Sequence, residues 1–470
     1  MNSLLVNDVH SGLNPTQVRR VVVPSNQTEL AEAIADARHR GETIIASGSR
    51  HAMGGQQFLP DGVIIDTRRM SRILGFDREC GWLRVEAGIE WPELIAGYLA
   101  QQQDGGPQWG IAQKQTGADR LTLGGTLSAN AHGRALTLPP IIGDVEAFGL
   151  LMADGTRVVC SRQENADLFA LAIGGYGLFG IITEVTLRLV PRYRVERSVE
   201  IISSARLHEA FAQRIAEGCT YGDFQFAIDE TSPDFLQTGV FSCYRPTRRP
   251  IPATAQRSLS ESEWMNLLLL AHTDRAAAFE AYASYYQRTH GQVYWSDTHQ
   301  LGPYLPNYAE QINRLEGASI PSSLMITEVY VPRDQLGSFL QQAAGLLRQS
   351  GVPVIYGTVR LIWQDRESFL PWARESYACI IFNLRVEHSP QGRDHAAHAF
   401  RALIDLATAQ GGSYYLTYHR YARRQQLETC YPQFPQFLAL KRKHDPEERF
   451  QSDWYCHYRR SEEDQTTPIT

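Results

Sequence analysis

The sequence predicts an α+β fold in two domains. An α/β domain comes first, and a domain built on an antiparallel sheet follows. Three observations carry this reading. A chain of 470 residues is too long for one ordinary core, and 43% hydrophobic residues with 10% aromatics are enough to fill a large interior. Strand-like and helix-like stretches alternate quickly from Arg19 to about Pro191. Beyond Pro191 the texture changes to aromatic and β-branched strands separated by long helices.

In chain order, residues 18–26 (VRRVVVPSN) read as a strand closed by Pro24. The spacing predicts a helix over 27–40, with Leu30, Ala33, Ile34 and Ala37 on one face and Asn26 or Thr28 as its cap. Gly41 stops it, and a second strand follows in ETIIASG. Further strands are expected at 62–67 and 83–88, then a helix over 91–102 with Pro92 in its first turn. In the second half, strands are expected at 194–202, 223–230, 238–244, 323–332, 352–362 and 377–388, with helices around 262–288, 334–350 and 394–410. The sequence has no visible internal repeat. Residues 1–13 and 462–470 read as loose ends. The aromatic-bearing tail 441–460 reads as an ordered extension packed on another part of the protein.

Charge and cysteine usage exclude several classes. A net charge of -6 gives no nucleic-acid or anionic-membrane footprint. The longest apolar runs, such as 267–271, are far short of a membrane span. The N-terminus lacks the basic and apolar regions of a signal peptide. Seven scattered cysteines without a CxxC or zinc spacing suit a reducing, cytoplasmic setting. No Gly-x-Ser-x-Gly elbow supports a hydrolase.

Three loops in the first domain suggest chemistry. ASGSRHAMGGQQF (46–58) sets His51 among small residues, glycines and Arg50. TGADRLTLGGTLSANAHGR (116–134) offers amide and hydroxyl donors with few charges, either a phosphate cradle or a tight loop between core strands. GGYGLFG (174–180) contains G-x-G-x-x-G, but it follows a helix-like stretch and opens a strand. A Rossmann loop has the reverse order, so that site is rejected. Three such loops in one domain point to a single large phosphate-bearing ligand.

RHAMGGQ, LGGTLSANAHG, CSRQENADLF and GGYGLFGIITEVTLRL, in this order, resemble the FAD-binding (PCMH-type) domain of the vanillyl-alcohol-oxidase-type family. Its members include cytokinin dehydrogenases, alditol and aldonolactone oxidases and decaprenylphosphoryl-ribose oxidases. The resemblance covers about 15–192. It implies an FAD domain there, a substrate (cap) domain over 193–430, and a segment over 431–460 that returns to the flavin domain. It also implies that His51 carries FAD covalently through the 8α-methyl, the alternative being a non-covalent flavin beside His51. Members with two covalent links have a cysteine before the second glycine loop; Ala112–Thr116 has none, which implies a single link. By the same matching, Ser47, Gly48, Ser49, Arg50, Ala52, Gly117, Thr122, Gly125, Thr126 and Ser128 would contact the pyrophosphate and ribityl chain. Gly180, Ile181 and Ile182 would meet the adenine side, and His132 and Gly133 the isoalloxazine. Ala131 would sit at the flavin edge, where oxygen access is set.

The implied reaction is oxidation of a hydroxyl-bearing, sugar-like or lactone substrate by hydride transfer to flavin N5, with oxygen or another acceptor taking the electrons. Amine or natural-product oxidation, or flavin binding without turnover, are the alternatives. Such chemistry needs a group to take the second proton, and polar residues inside apolar second-domain strands are the candidates. These are Glu328, Arg360 and Asn383, joined by Tyr415, Tyr418 and His419 after Gly411-Gly412. Sugar-type oxidases commonly place a lysine near that last position, where this chain offers His419. Tyr294, Asp297 and His299 are further pocket candidates. The sequence carries no metal motif and no argument about oligomeric state.

Overall fold

The computed structural model describes residues 4–103, 105–254, 256–302 and 305–460. Its first layer is a parallel sheet in the order Arg20–Val22, Val63–Asp66, Ile44–Ser47. All four residues of Val63–Asp66 are buried, as befits the central strand of a covered parallel sheet. The helix Gln27–His39 lies against it through Leu30, Ala33, Ile34 and Ala37, and the Asn26 side chain caps it by accepting from the Glu29 amide. The C-terminal segment extends this sheet. The Ile44 amide donates to the Arg449 carbonyl at 2.7 Å, and Phe450 is buried in the same core.

A five-stranded antiparallel sheet follows, in the order Arg157–Ser161, Val145–Leu151, Ile181–Arg188, Trp82–Glu86, Ile73–Asp77. The third glycine loop lies between the helix Ala166–Ala172 and the strand Ile181–Arg188, so no helix begins at its end.

The second domain is an eight-stranded antiparallel sheet. Its order is Val293–Trp295, Arg194–Ser203, Thr238–Thr247, Tyr221–Phe226, Val354–Leu361, Tyr377–Glu387, Ser322–Pro332, Ser413–Tyr414. Six of these strands form two units of the same plan: strand, 3-10 turn, helix, strand, strand. In the sheet the two units run in mirrored order and meet at Tyr221–Phe226 and Val354–Leu361. The sequence hides this repeat because it lies in connectivity, not in residue identity.

One face of the sheet is apolar and covered by Leu207–Ala216, Leu336–Ser350 and Pro390–Ala409; Phe211, for example, sets its ring edge against Phe241 at 4.9 Å. The other face turns toward the flavin domain and the helices of residues 261–316. Pairing registers assign Glu328, Arg360, Asn383, Tyr356 and Asp223 to that face.

Three expectations need correction. The helix expected over 262–288 is two helices, Glu261–Thr273 and Arg275–Gln287. Asp274 breaks it, because its carboxylate caps the second helix by accepting from the Ala277 amide. The strand expected over 223–230 runs Tyr221–Phe226 and ends before an Asp229-centred turn. The N-terminal stretch expected to be loose is ordered from Leu4: Leu4–Val6 pairs with Thr16–Val18. Buried Asp8 gathers the amides of His10, Ser11 and Gly12, the Ser11 hydroxyl and the Asn14 amide. A carboxylate with so many donors is a strong local organiser, and composition alone does not reveal it. Residues 1–3 and the expected loose end 462–470 lie outside the described residues.

Candidate active site

The glycine loops of the first domain converge on a cavity holding about 1280 Å³ of empty space, including its open mouth. One wall is Ser47–Met53, a second Gly117–Ser128 with Ala131, and a third Gly177 with Gly180–Ile182. Ile326, Tyr415, Thr417 and Tyr418 of the second domain close the opposite side. Among the lining residues Arg50 is the one permanent charge, and none is a carboxylate. Such a wall of amides, hydroxyls and one guanidinium receives phosphate without repulsion. The first two loops touch closely: a Cβ on Gly48 would lie 2.0 Å from the Thr122 hydroxyl oxygen.

The His51 loop is held in a tight curve. Arg50 adopts φ +59°, a left-handed conformation that costs a non-glycine residue about 1 kcal/mol. The Val9 amide donates to the Arg50 carbonyl at 3.0 Å and helps fix it. His51 Nδ1 lies 2.9 Å from His10 Nε2, so the N-terminal segment reaches the loop with a side chain as well. Burial, then the neighbouring His10, lowers the His51 pKa to about 3, which leaves a neutral imidazole at physiological pH. A neutral ring nitrogen is a nucleophile.

Beyond the cavity wall lies a buried acid-base group. Glu328 is 1% exposed; its Oε1 lies 2.7 Å from His132 Nε2, and its Oε2 accepts the Tyr418 hydroxyl at 3.2 Å. His132 Nδ1 lies 3.0 Å from the Gly133 carbonyl, which can only accept, so Nδ1 carries a proton. Neither Nε2 of the neutral ring nor a carboxylate oxygen can then donate, so a second proton must lie between Nε2 and Oε1. Trp372 packs beside the pair, 5.0 Å from the His132 ring and stacked on Tyr330 at 4.7 Å. Burial, then Glu328, raises the Tyr418 pKa well above its usual value and keeps its hydroxyl protonated. Arg360, on the same sheet face and 6% exposed, has no hydrogen bond or ion pair within the described residues.

The expected cofactor contacts Ser47, Gly48, Ser49, Arg50, His51, Ala52, Gly117, Thr122, Gly125, Thr126, Ser128, Gly180, Ile181 and Ile182 all line the cavity, as does Ala131. His132 and Gly133 do not. His132 turns to Glu328, and Gly133 packs against Lys114, whose carbonyl oxygen would be 2.5 Å from an added Cβ. His419 is also displaced from its expected role. Tyr418 turns into the cavity, and its neighbour His419 stacks on Tyr421 at 5.4 Å and feels Asp8 and Arg393. Asn383 sits beyond the cavity, paired across the strands with Ile326 and Tyr356. Asp297 is engaged by Tyr98 and Arg192, each at 2.8 Å, and His299 packs on Tyr221 and Tyr244; both are structural, and Tyr294 joins that aromatic group. Sequence reasoning missed His10, Ile326 and Thr417. The two-residue strand period from Glu328 would have found Ile326, whereas nothing local marks His10.

Comparison with known proteins agrees with this geometry. A family model described as an FAD binding domain matches residues 18–161. L-gulono-1,4-lactone dehydrogenase of Mycobacterium tuberculosis is 26% identical over 92% of this chain and 94% of its own. L-gulonolactone oxidase of Mus musculus is 31% identical over 37% of each chain, and cytokinin dehydrogenase 2 of Oryza sativa subsp. japonica is 31% identical over 36% of this chain and 31% of its own. The chain therefore carries an FAD-binding domain over residues 18–161. The cavity of this FAD-linked oxidoreductase suits its cofactor: amides, hydroxyls and one guanidinium line it, and its walls lack carboxylates. No helix among the oxidoreductase's described residues is long and apolar enough to cross a membrane.

Proposed function

We propose that the protein oxidises a hydroxyl-bearing, sugar-like or lactone substrate, with FAD held covalently through His51. Bound FAD supplies a two-electron acceptor, which oxygen or another acceptor then reoxidises. Ser47–Ala52, Gly117, Thr122–Ser128 and Gly180–Ile182 would hold it. The one observation that carries the reading is the Glu328–His132–Tyr418 group, buried beside Ile326 on the second-domain side of the cavity.

Glu328 takes the proton of the substrate hydroxyl, and the proton it already shares with His132 moves fully onto the imidazole. Tyr418 keeps the carboxylate oriented through its hydroxyl. Arg360, on the same sheet face as Glu328, would stabilise the charge that develops on that oxygen. The aromatic wall of Trp372, Tyr330 and Tyr415 excludes water from this step. The names of the gulonolactone relatives favour a lactone or polyol over an amine, and a buried anion paired to a histidine suits alcohol deprotonation. The neutral, buried His51 imidazole supports a covalent link, and the absence of cysteine in Ala112–Thr116 supports a single one. Seven free thiols are consistent with a cytoplasmic protein.

A panel of aldonolactones, alditols and primary amines, assayed with oxygen and with dye acceptors, tests the reading. Turnover of lactones or alditols is the expected result. Turnover confined to amines would sink it.

A further inference from the structure

The sheet face that carries Glu328 continues past the reaction site, and it carries more polar groups than the chemistry uses. Two strands beyond Glu328 stand Thr358 and Arg360, and on the next strand Asp223 and Gln225. Asp223 and Gln225 are each 4% exposed, yet Asp223 Oδ1 and Gln225 Oε1 have no hydrogen-bond partner, and the same holds for the hydroxyls of Ser242 and Thr358. Buried polar atoms left unpaired in one band are costly unless something polar meets them.

This band has space in front of it. Tyr356 lies on an inner strand of the sheet and points to the same face, but it is 37% exposed. The helix Arg275–Gln287 passes over this face with Tyr282 and Tyr286 half-buried, their rings 4.4 Å apart. Burial first, and the Asp223 charge among the further causes, raise all three tyrosines, so their hydroxyls stay protonated around that carboxylate. Partly accessible tyrosine surface thus lies over the sheet face that carries Glu328, beside a buried carboxylate.

We propose that Asp223, Gln225 and Tyr356 on the sheet, with Tyr282 and Tyr286 above them, form a distal subsite for a neutral polyhydroxylated unit of the substrate. That unit is a glycosyl residue or its open-chain equivalent, attached beyond the carbon oxidised at Glu328. The inference rests on the oxidase reading above. Three features of the site carry it. Acceptors (Asp223, Gln225) and hydroxyls that both donate and accept alternate there, the pattern that matches sugar hydroxyls. Arg134 sits 3.5 Å from Asp223 Oδ2 and cancels its charge, so the site is not one for an ammonium group. The third feature is distance. Glu328 and Gln225 are three strand spacings apart, about 14 Å, a span that a single lactone ring does not cover.

The test uses the flavin-loaded protein with matched substrate pairs: an aldonolactone or alditol and the same compound carrying one further glycosyl unit. kcat/KM is measured for each, and calorimetric binding of each is measured on Glu328→Gln protein. The glycosylated member is expected to be preferred at least tenfold. A hydrogen bond lost from a ligand hydroxyl corresponds to about a three- to tenfold loss. Asp223→Asn, Gln225→Leu and Tyr286→Phe should therefore each lower that preference by about that factor, in binding as in turnover. Gln225→Leu and Tyr286→Phe leave the Arg134–Asp223 pair intact, so an unstable Asp223→Asn protein does not block the test. Turnover of the short substrates with no preference for the longer ones, or a preference unchanged in all three variants, overturns the subsite alone. Tighter binding of a glycosylamine than of its neutral counterpart overturns it as well. If neither member of any pair is bound or oxidised, the oxidase reading fails and the subsite with it.

Discussion

Glu328→Gln separates the chemistry of the site from its structure. The amide has the shape of the carboxylate. Its oxygen can still accept the Tyr418 hydroxyl, and its nitrogen can donate to His132 Nε2, while His132 Nδ1–H still donates to the Gly133 carbonyl. Every hydrogen bond of the group therefore survives, and a buried charged pair becomes a neutral one. The exchange leaves no buried hydrogen-bonding group without a partner, and His132 can shed its second proton, so the fold is expected to hold. What disappears is the acceptor for the substrate proton. General-base catalysis contributes about 10²–10⁴ in rate, or about 2.7–5.5 kcal/mol of activation free energy. Anaerobic rapid mixing of the variant with substrate, followed by the loss of flavin absorbance, should show reduction slowed by at least a hundredfold at an unchanged melting temperature. Reduction within tenfold of the wild-type rate would refute the role given to Glu328. Unfolding of the variant would refute the claim that the group stays satisfied.

Further outcomes are expected elsewhere. Gly48→Ala drives a methyl into Thr122, so the two loops separate and the protein should be purified with little FAD, as its visible spectrum would report. Asp8→Ala leaves several buried donors without their acceptor at a cost of about 3 kcal/mol, and thermal unfolding should show the loss. His51, His272, His419 and His457 have folded-state pKa values near 3, 4, 4 and 4, chiefly through burial. The unfolded chain protonates them first, so their contribution is complete above about pH 6.5 and is lost as the pH falls toward 4, which a melting series across that range would show. Asp144 has the opposite sign: burial raises its pKa to about 7, so it weakens the fold as the pH rises from about 4 through 7. Asp144→Asn should then raise the melting temperature at pH 8, by on the order of 1 kcal/mol in stability, and leave it near wild type at pH 4.

Much of the first domain was legible in the sequence because its signals are local. Helical spacing at Leu30, Ala33, Ile34 and Ala37, with Asn26 or Thr28 as cap, predicts a helix over 27–40 where Gln27–His39 forms on an Asn26 cap, and the position of GGYGLFG between a helix-like and a strand-like stretch excludes a Rossmann site. Glu328, Arg360 and Asn383 stand out in the sequence because a polar residue inside an apolar strand is conspicuous, and strand pairing sets all three on one face of the sheet. The rest depended on three-dimensional arrangement. The Asp274 break was hidden by a run that keeps helical composition on both sides. His419 looked as suitable as Tyr418 by residue type, and only the direction of the turn after Ser413–Tyr414 separates them. The hold of the N-terminal segment on the His51 loop, through Val9 and His10, depends on contacts about forty residues apart. Pairing of the two strand–helix–strand–strand units is likewise a long-range property, and neither unit announces the other.

The most direct test is the visible spectrum of the purified protein before and after acid precipitation, with a digest of the pellet. The account expects flavin colour that stays with the pellet and appears on a peptide containing His51. Colour released to the supernatant would contradict the covalent link. A colourless protein that cannot be loaded with FAD would contradict the assignment of the cavity itself.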